Sequence, residues 1–545
     1  MTSPLYGATP TGLAAARASG PAVSPAVART TLTTAILLGA SADALMHDGP
    51  SGVGVAMWIM FLAVNAVVLF ARGRHTPSSQ AFLWLTAAVM FSFCLAWRNA
   101  ETLWAFDFLA MLFALGMAAI TVRDPGAALF AKRLRDTLFT GIDVAGNIAV
   151  GVLPLAFRES FTHESGGRIL SRFRVFVRPA LIAVAALVIF GALLRDADPI
   201  FASWVNIPFD LGTIVSHVIV TGFFAWIVAG WARGSLAENA TPRRSTAPLP
   251  SQLGAADITA ALGTLGVLFA AFMAAQIGWL FGGEKFLQAR TGLTAASYAR
   301  QGFFQMVWVV TLVVPILVGT RAALAPAGGR ELARRHTLLS LPVIVLLGAI
   351  IASAMLRMKM YVHYYGLTTD RFYPAVFMLW LATVIVWLAI TVLRDWGRPF
   401  VGGAVLSGMA FLFALNVVDP DGIVARVNVS RAARLAPGTG PGLDIEHLAA
   451  LNGQGTAIAV DAVVHADVTN PTGALPNPAI VHRCVAARTL LNHWGPQSGP
   501  RRHMNQTGGW RYWNHDDALA FSAVDAHVAD LQRFANEGCA PTDPH

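Results

Sequence analysis

Three titratable side chains, Asp43, Asp107 and His217, fall inside otherwise apolar runs of the chain. A charged or protonatable group within a membrane span is costly, so each marks a candidate functional position. Asn65 and Gln276 are uncharged polar company in similar runs. Asp107 and His217 would form a proton-sensitive carboxylate–imidazole pair if they lined a common polar vestibule. The plainer reading is a set of groups hydrogen-bonded between helices or reaching the headgroups.

A short phrase occurs twice, as "TGLTAASYARQGFFQ" (291–305) and "YGLTTDRFYPAVFML" (365–379), each time just before an apolar run. Thr294 and Thr368 sit where a helix N-cap hydroxyl would accept a bond from a first-turn amide. Leu293 with Tyr298, and Leu367 with Phe372, then stand at hydrophobic-staple spacing. Asp370 adds a negative charge where the helix dipole favours one. The bland function of the phrase is to start a helix. The sharper one sets two helix N-termini, with Tyr298, Arg300 and Arg371, around an outer cavity able to hold an anion.

Other constellations are weaker. Asp196 and Asp198 in "RDADPIF" read as a turn before Pro199 more readily than as a cation site. His493, His503 and His515, with Asp516 and Asp517, match no known metal-ligand spacing. Neither a metal nor a cofactor is expected. No phosphate-binding GxxxxGK[ST] loop, HExxH helix, paired CxxC or GxSxG elbow occurs. Cys94 lies in an apolar run, whereas Cys484 and Cys539 share the C-terminal region and form a possible disulfide.

The elements that must position these groups follow from composition. Of 545 residues 55% are hydrophobic and only 13% charged, with mean hydropathy +0.57; soluble domains carry about 25% charge. The expected fold is therefore all-α, a polytopic transmembrane bundle. Apolar runs at about 30–46, 52–71, 79–98, 101–122, 176–195, 211–232, 258–282, 303–324, 337–356, 373–393 and 399–417 give eleven spans. Arginines such as Arg29, Arg72, Arg123, Arg233, Arg321 and Arg394 then share one side, so the positive-inside rule makes the N-terminus cytoplasmic and the C-terminus extracytoplasmic. Because the excess arginine lies in these loops, the net charge of +9 does not point to nucleic acid.

Residues 138–157, "LFTGIDVAGNIAVGVLPLAF", resist this scheme, because arginines both precede and follow them. Asp143, Asn147, Gly151 and Pro154 share one stripe, which suits a helix lying in the cytoplasmic interface; the alternative is a twelfth span. Residues 1–29 read as a disordered cytoplasmic tail and 30–417 as the transmembrane domain. A cleaved leader ending near "ASA" (40–42) is the other reading of the N-terminus.

Residues 418–545 change character, with 9 basic against 12 acidic residues and 8 of the 14 histidines. They read as a small helical domain outside the membrane. Asp444 caps one helix. Asn514 caps another with a stripe of Phe521, Val524, Val528, Leu531 and Phe534. In the Pro-, Gly- and Asn-rich stretch 466–513 between them, loops are expected to dominate.

The phrases "FMAAQIGWLFGG", "TGLTAASYARQGFF", "YVHYYGLTTDRFYPAVFMLWLA", "LLRDADPIFASW" and "GGWRYWNHDDALAF" resemble a family of bacterial polytopic membrane proteins, the domain-of-unknown-function family 4153/4173. The similarity runs from about residue 35 to about residue 520. It implies an integral membrane protein of a bacterial inner membrane with a C-terminal helical segment. It implies no activity, because the family has no established catalytic or binding residues to carry over. This chain departs from the pattern in its longer, His-rich tail.

Three functions compete. A transporter-like permease would use the vestibule of Asp43, Asp107, His217 and Gln276. An envelope sensor or assembly protein would bind a protein partner through the outer domain, with the lipid bilayer as its other partner. A membrane-embedded transferase would act on a lipid-linked substrate at the outer face. The missing signatures weigh against the last.

The topology gives the first prediction. A reporter active only in the cytoplasm, fused after His545, should be silent, and strong activity there would overturn the odd number of spans.

Overall fold

The structure is a computed structural model. It describes residues 23–49, 52–73, 78–123, 134–160, 183, 190, 211–237, 253–291, 303–324, 329–393, 400–434, 443–465, 478–498 and 509–536. Among these residues the chain is helical and has no strand; its one β-bridge joins Leu253 to Leu324.

Among the described residues, eleven helices of 17 residues or more precede residue 419: α1 (Pro25–Met46), α2 (Val53–Arg72), α3 (Ser79–Trp97), α4 (Glu101–Arg123), α5 (Leu134–Val150), α6 (Leu211–Leu236), α7 (Ala255–Thr291), α8 (Phe303–Ala322), α9 (Gly329–Tyr365), α10 (Thr369–Leu393) and α11 (Phe400–Val418). Ten of the eleven expected spans fall on helices; the run 176–195 lies outside the described residues, apart from two isolated positions. Among the described residues eight helices, α2, α3, α4, α6, α7, α9, α10 and α11, are long and apolar enough to cross a membrane. Helix α1 starts at Pro25, so it takes in the end of the segment expected to be a disordered tail. Proline at a first helical position loses no bond and already has a helical φ.

Packing inside the bundle depends on small residues more than on apolar bulk, because lipid is as apolar as leucine. Ala28, Ala35 and Ala42 recur at seven-residue spacing on α1 and are fully or almost fully buried. Gly39, where an added Cβ would meet the Thr221 carbonyl oxygen and Ala225, lets α1 lie close against α6, its most extensive neighbour. One core joins α1 to α6, and a second joins α7 to α11. Helix α11 touches both, with Val405, Met409 and Leu412 against the first and Val401 and Ala404 against the second.

The segment expected at the interface is bent. Helix α5 ends at Val150, and a short continuation leaves it at 58° before a π-helical turn, Leu155–Glu159. The polar stripe is real: Asp143, Asn147, Gly151 and Pro154 line a groove of about 640 Å³ together with Arg233 of α6. Arg233 also pairs with buried Glu159 at 2.6 Å and bonds the Asn147 side chain.

Beyond α11 come α12 (Pro420–Arg434), α13 (Ile445–Ala449), α14 (Gln454–Val464), α15 (Pro478–Trp494), a 3₁₀ turn (Gly509–Tyr512), α16 (His515–Ala526) and α17 (Val528–Asn536). They enclose a separate core that includes Val424, Leu448, Val460, Leu490, Val524 and Leu531. Both expected caps form, with Asp444 Oδ1 accepting from the His447 amide at 2.9 Å and Asn514 Oδ1 from the Asp516 amide at 2.9 Å. One expectation needs correction: the helix after Asn514 breaks at His527 into α16 and α17. The stretch 466–513 is not all loop, because α15 occupies 17 residues of it; Cys484, Ala487, Leu490 and Trp494 give it a buried helical face. Cys484 is disulfide-bonded and Cys94 is free; Cys539, its expected partner, lies outside the described residues.

The domain meets the bundle at Gly52, which has φ 68° and where a Cβ would lie 2.5 Å from the carbonyl carbon of Tyr512. Gly52→Ala should therefore lower stability by about 1–3 kcal/mol through backbone strain and this close approach. Thermal unfolding in detergent measures it, and an unchanged midpoint would contradict the contact.

Candidate functional site

Two adjoining polar clusters lie at the end of the bundle that carries the domain. The first is built on the three-residue turn between α3 and α4. Arg98 closes α3 in extended conformation, and its amide bonds back to Cys94 at 2.9 Å. Its buried guanidinium reaches Asp516 Oδ1 at 2.9 Å, Asp419 Oδ1 at 3.5 Å and the carbonyl of Asn416 at 2.8 Å. Asn99 adds an amide bond to Asp516 Oδ2 at 3.2 Å and a side-chain bond to Asp517 Oδ1 at 2.6 Å. Asn514 Nδ2 donates to the carbonyl of Leu95 at 3.0 Å. The N-terminus of α16 thus answers the C-terminus of α3, with acids where the dipole of α16 favours them.

The cluster extends into the bundle through Asn416, near the end of α11. Its Nδ2 donates to both oxygens of Asp107, at 3.0 and 2.9 Å. Asp419 links α11 to α12 at φ 60°, a left-handed conformation that short polar residues tolerate best. It accepts from the Gly422 amide at 3.2 Å. Asp421 accepts from the Asn452 amide at 2.9 Å. Asp107, Asp419, Asp421, Asp516 and Asp517 are all buried, as is the guanidinium of Arg98 in the same cluster. Burial raises the carboxyl of Asp516 to about 6, although Arg98 and Asn99 pull it down. Burial likewise raises Asp421, against its bonds from Asn452.

The second cluster joins α1 to α6. Asp43 Oδ1 lies 2.7 Å from His47 Nδ1, and Asp43 Oδ2 lies 2.7 Å from His217 Nδ1. The two imidazoles stack with centroids 4.0 Å apart, and His47 Nε2 meets Ser216 Oγ at 2.9 Å. The domain grips the adjacent loop. Tyr512 donates to Asp48 Oδ2 at 2.9 Å, the Val53 amide to Trp513 O at 3.1 Å, and Arg511 to the carbonyl of Ala44.

The structure therefore regroups the residues expected to share one vestibule. Asp43 and His217 do meet. Asp107 is not paired with His217 but is buried against Asn416. Gln276 is buried away from both clusters, between α7 and α9, where Ser353 and Arg357 donate to its Oε1. Arg371 binds the carbonyls of Tyr365 at 3.2 Å and Gly366 at 2.6 Å and stacks over Tyr361, so it serves the C-terminus of α9. Thr294, Tyr298 and Arg300 lie outside the described residues.

The second copy of the repeated phrase has a job beyond starting α10. Thr368 stands just before that helix, and its carbonyl accepts from Arg371 and Phe372. The backbone of Leu367 is bonded twice by the Asn428 side chain of α12, at 2.8 and 2.6 Å. Leu367 and Phe372, the staple pair, pack against the domain core. Gly366 takes φ 80° to bring the chain there.

Sequence reasoning missed Arg98, Asn99, Asn416, Asp419 and His47. The available signals were a lone arginine between two spans and the i, i+4 spacing of Asp43 and His47.

The family model for the domain of unknown function DUF4153 matches residues 85–462, more than half of the chain, and the chain belongs to that family. No curated protein and no solved structure matches it.

The raised carboxyl of Asp516 sets a pH dependence. Between its ordinary 3.8 and its folded value of about 6 the folded state holds a proton that the unfolded chain has lost. Its contribution to stability is therefore full below 3.8 and is lost as pH rises through 6. Acidifying from pH 7 to pH 5 should stabilise the wild type relative to Asp516→Asn by about 1.4 kcal/mol, the worth of the one pH unit that lies below the folded value. Parallel melting profiles for the two proteins would contradict this.

Proposed function

We infer that this DUF4153 member is a non-catalytic multi-pass membrane protein of the cell envelope, a sensor or assembly factor in which the helical domain and the bundle act as one unit. The observation that carries this reading is the Arg98 junction. A guanidinium at the end of a membrane helix is buried against carboxylates of the domain, and the domain's own core takes in Leu367 and Phe372 from the bundle. A domain held in this way can pass a partner's binding on to α3, α4, α10 and α11. The arginine pattern supports a domain outside the cytoplasm, where an envelope protein would meet it.

The dispersal of the vestibule residues also favours this reading over a permease. Asp107 and Gln276 are engaged in separate helix–helix contacts, not turned toward one cavity. A transporter-like function keeps one specific support, the helix broken at Gly151 with its polar stripe and Arg233 on a groove, because interrupted helices line substrate paths in many transporters. Nothing in the geometry favours the transferase.

A chain ending at Val418, verified to insert, separates the two. In cells with a deletion phenotype it should fail to complement, as the deletion does. Full complementation would overturn the coupled-domain reading and favour the permease.

A further inference from the structure

We propose that Asp43, His47 and His217 bind a divalent transition-metal ion of the zinc class, which clamps α1 to α6 at the end of the bundle gripped by the domain. Three ligand atoms, two imidazole nitrogens and one carboxylate oxygen, lie within 4.8 Å of one another. Asp43 lies in the last turn of α1, His47 follows one turn later just past its end, and His217 faces them from α6.

The orientation of the rings supports ligation. Each histidine turns Nδ1 inward, to a different oxygen of the same carboxylate. The other nitrogen of His47 meets Ser216 Oγ. A metal-binding histidine commonly donates its second N–H to such a partner, which fixes the tautomer and leaves the inward nitrogen free to coordinate. The rings stack with centroids 4.0 Å apart, so both Nδ1 atoms stand beside the same carboxylate.

The donor set selects the metal. Two imidazoles and one carboxylate suit Zn²⁺ and its neighbours, whereas Mg²⁺ and Ca²⁺ take oxygen ligands. The side chains of Asp43 and His47 are 14% and 23% exposed and that of His217 47%, so the site is walled by helices and open beside His217. Water fits the fourth position. The location gives the ion a role. Ala44 and Asp48, beside the ligands on the chain, are the residues that Arg511 and Tyr512 hold. Metal binding would stiffen the floor on which the domain rests.

The test uses full-length protein without a histidine tag, in nanodiscs, stripped with chelator and titrated with Co²⁺. The expected result is one equivalent bound with the visible bands of four-coordinate cobalt, displaced by Zn²⁺ but not by Mg²⁺ or Ca²⁺. His47→Ala and His217→Ala should each weaken binding by more than ~10-fold, a loss seen even for outer-shell partners. Asp43→Asn gives a third variant if either alanine protein fails to fold. His482→Ala removes an exposed histidine paired with Glu446 and should leave binding unchanged. No cobalt bands at stoichiometric metal, or bands with wild-type affinity in the folded site variants, would overturn the proposal.

Discussion

A guanidinium removed from water must find carboxylates or carbonyls, and Arg98 finds both at the seam between membrane and domain. Breaking a buried pair leaves an uncompensated charge, which is far worse than never having built one. That constraint fixes several elements together. The turn from α3 to α4 must present Arg98 and Asn99 upward. Helix α16 must begin at Asn514 so that Asp516 and Asp517 point down. Helix α11 must end where Asn416 and Asp419 can complete the set.

Different forces hold the two sides of this seam. Within the bundle, small residues such as Gly39 allow close helix contact, and dispersion does most of the work. In the domain, burial of Val424, Leu448, Val460 and Leu490 away from water drives folding. The seam cannot use either force fully, because it lies where water and lipid meet. Hydrogen-bonded charge, caps and a few aromatic contacts such as Trp97 on His515 take over there.

This division explains what the sequence revealed. Apolar runs located the helices because hydropathy is a local property. Asp444 and Asn514 announced their helices because a cap is read within four residues. Residue type singled out Asp43, Asp107 and His217, since each is costly in a span. Their partners were not legible. Asn416 is 309 residues from Asp107, and His217 is 174 from Asp43. His47 fell just past the edge of a predicted span, and Arg98 read as a loop residue. Helix α15 was hidden because proline and glycine on either side dominated the composition of its stretch.

The central claim is that the Arg98–Asp516 interaction couples domain to bundle. A double-mutant cycle with Arg98→Met and Asp516→Leu, read from unfolding free energies in mixed micelles, tests it most directly. Each single change should cost about 3–5 kcal/mol. The double change should cost less than their sum by at least about 1.5 kcal/mol. Costs that add to within about 0.5 kcal/mol would contradict the account, because the two residues would then act independently.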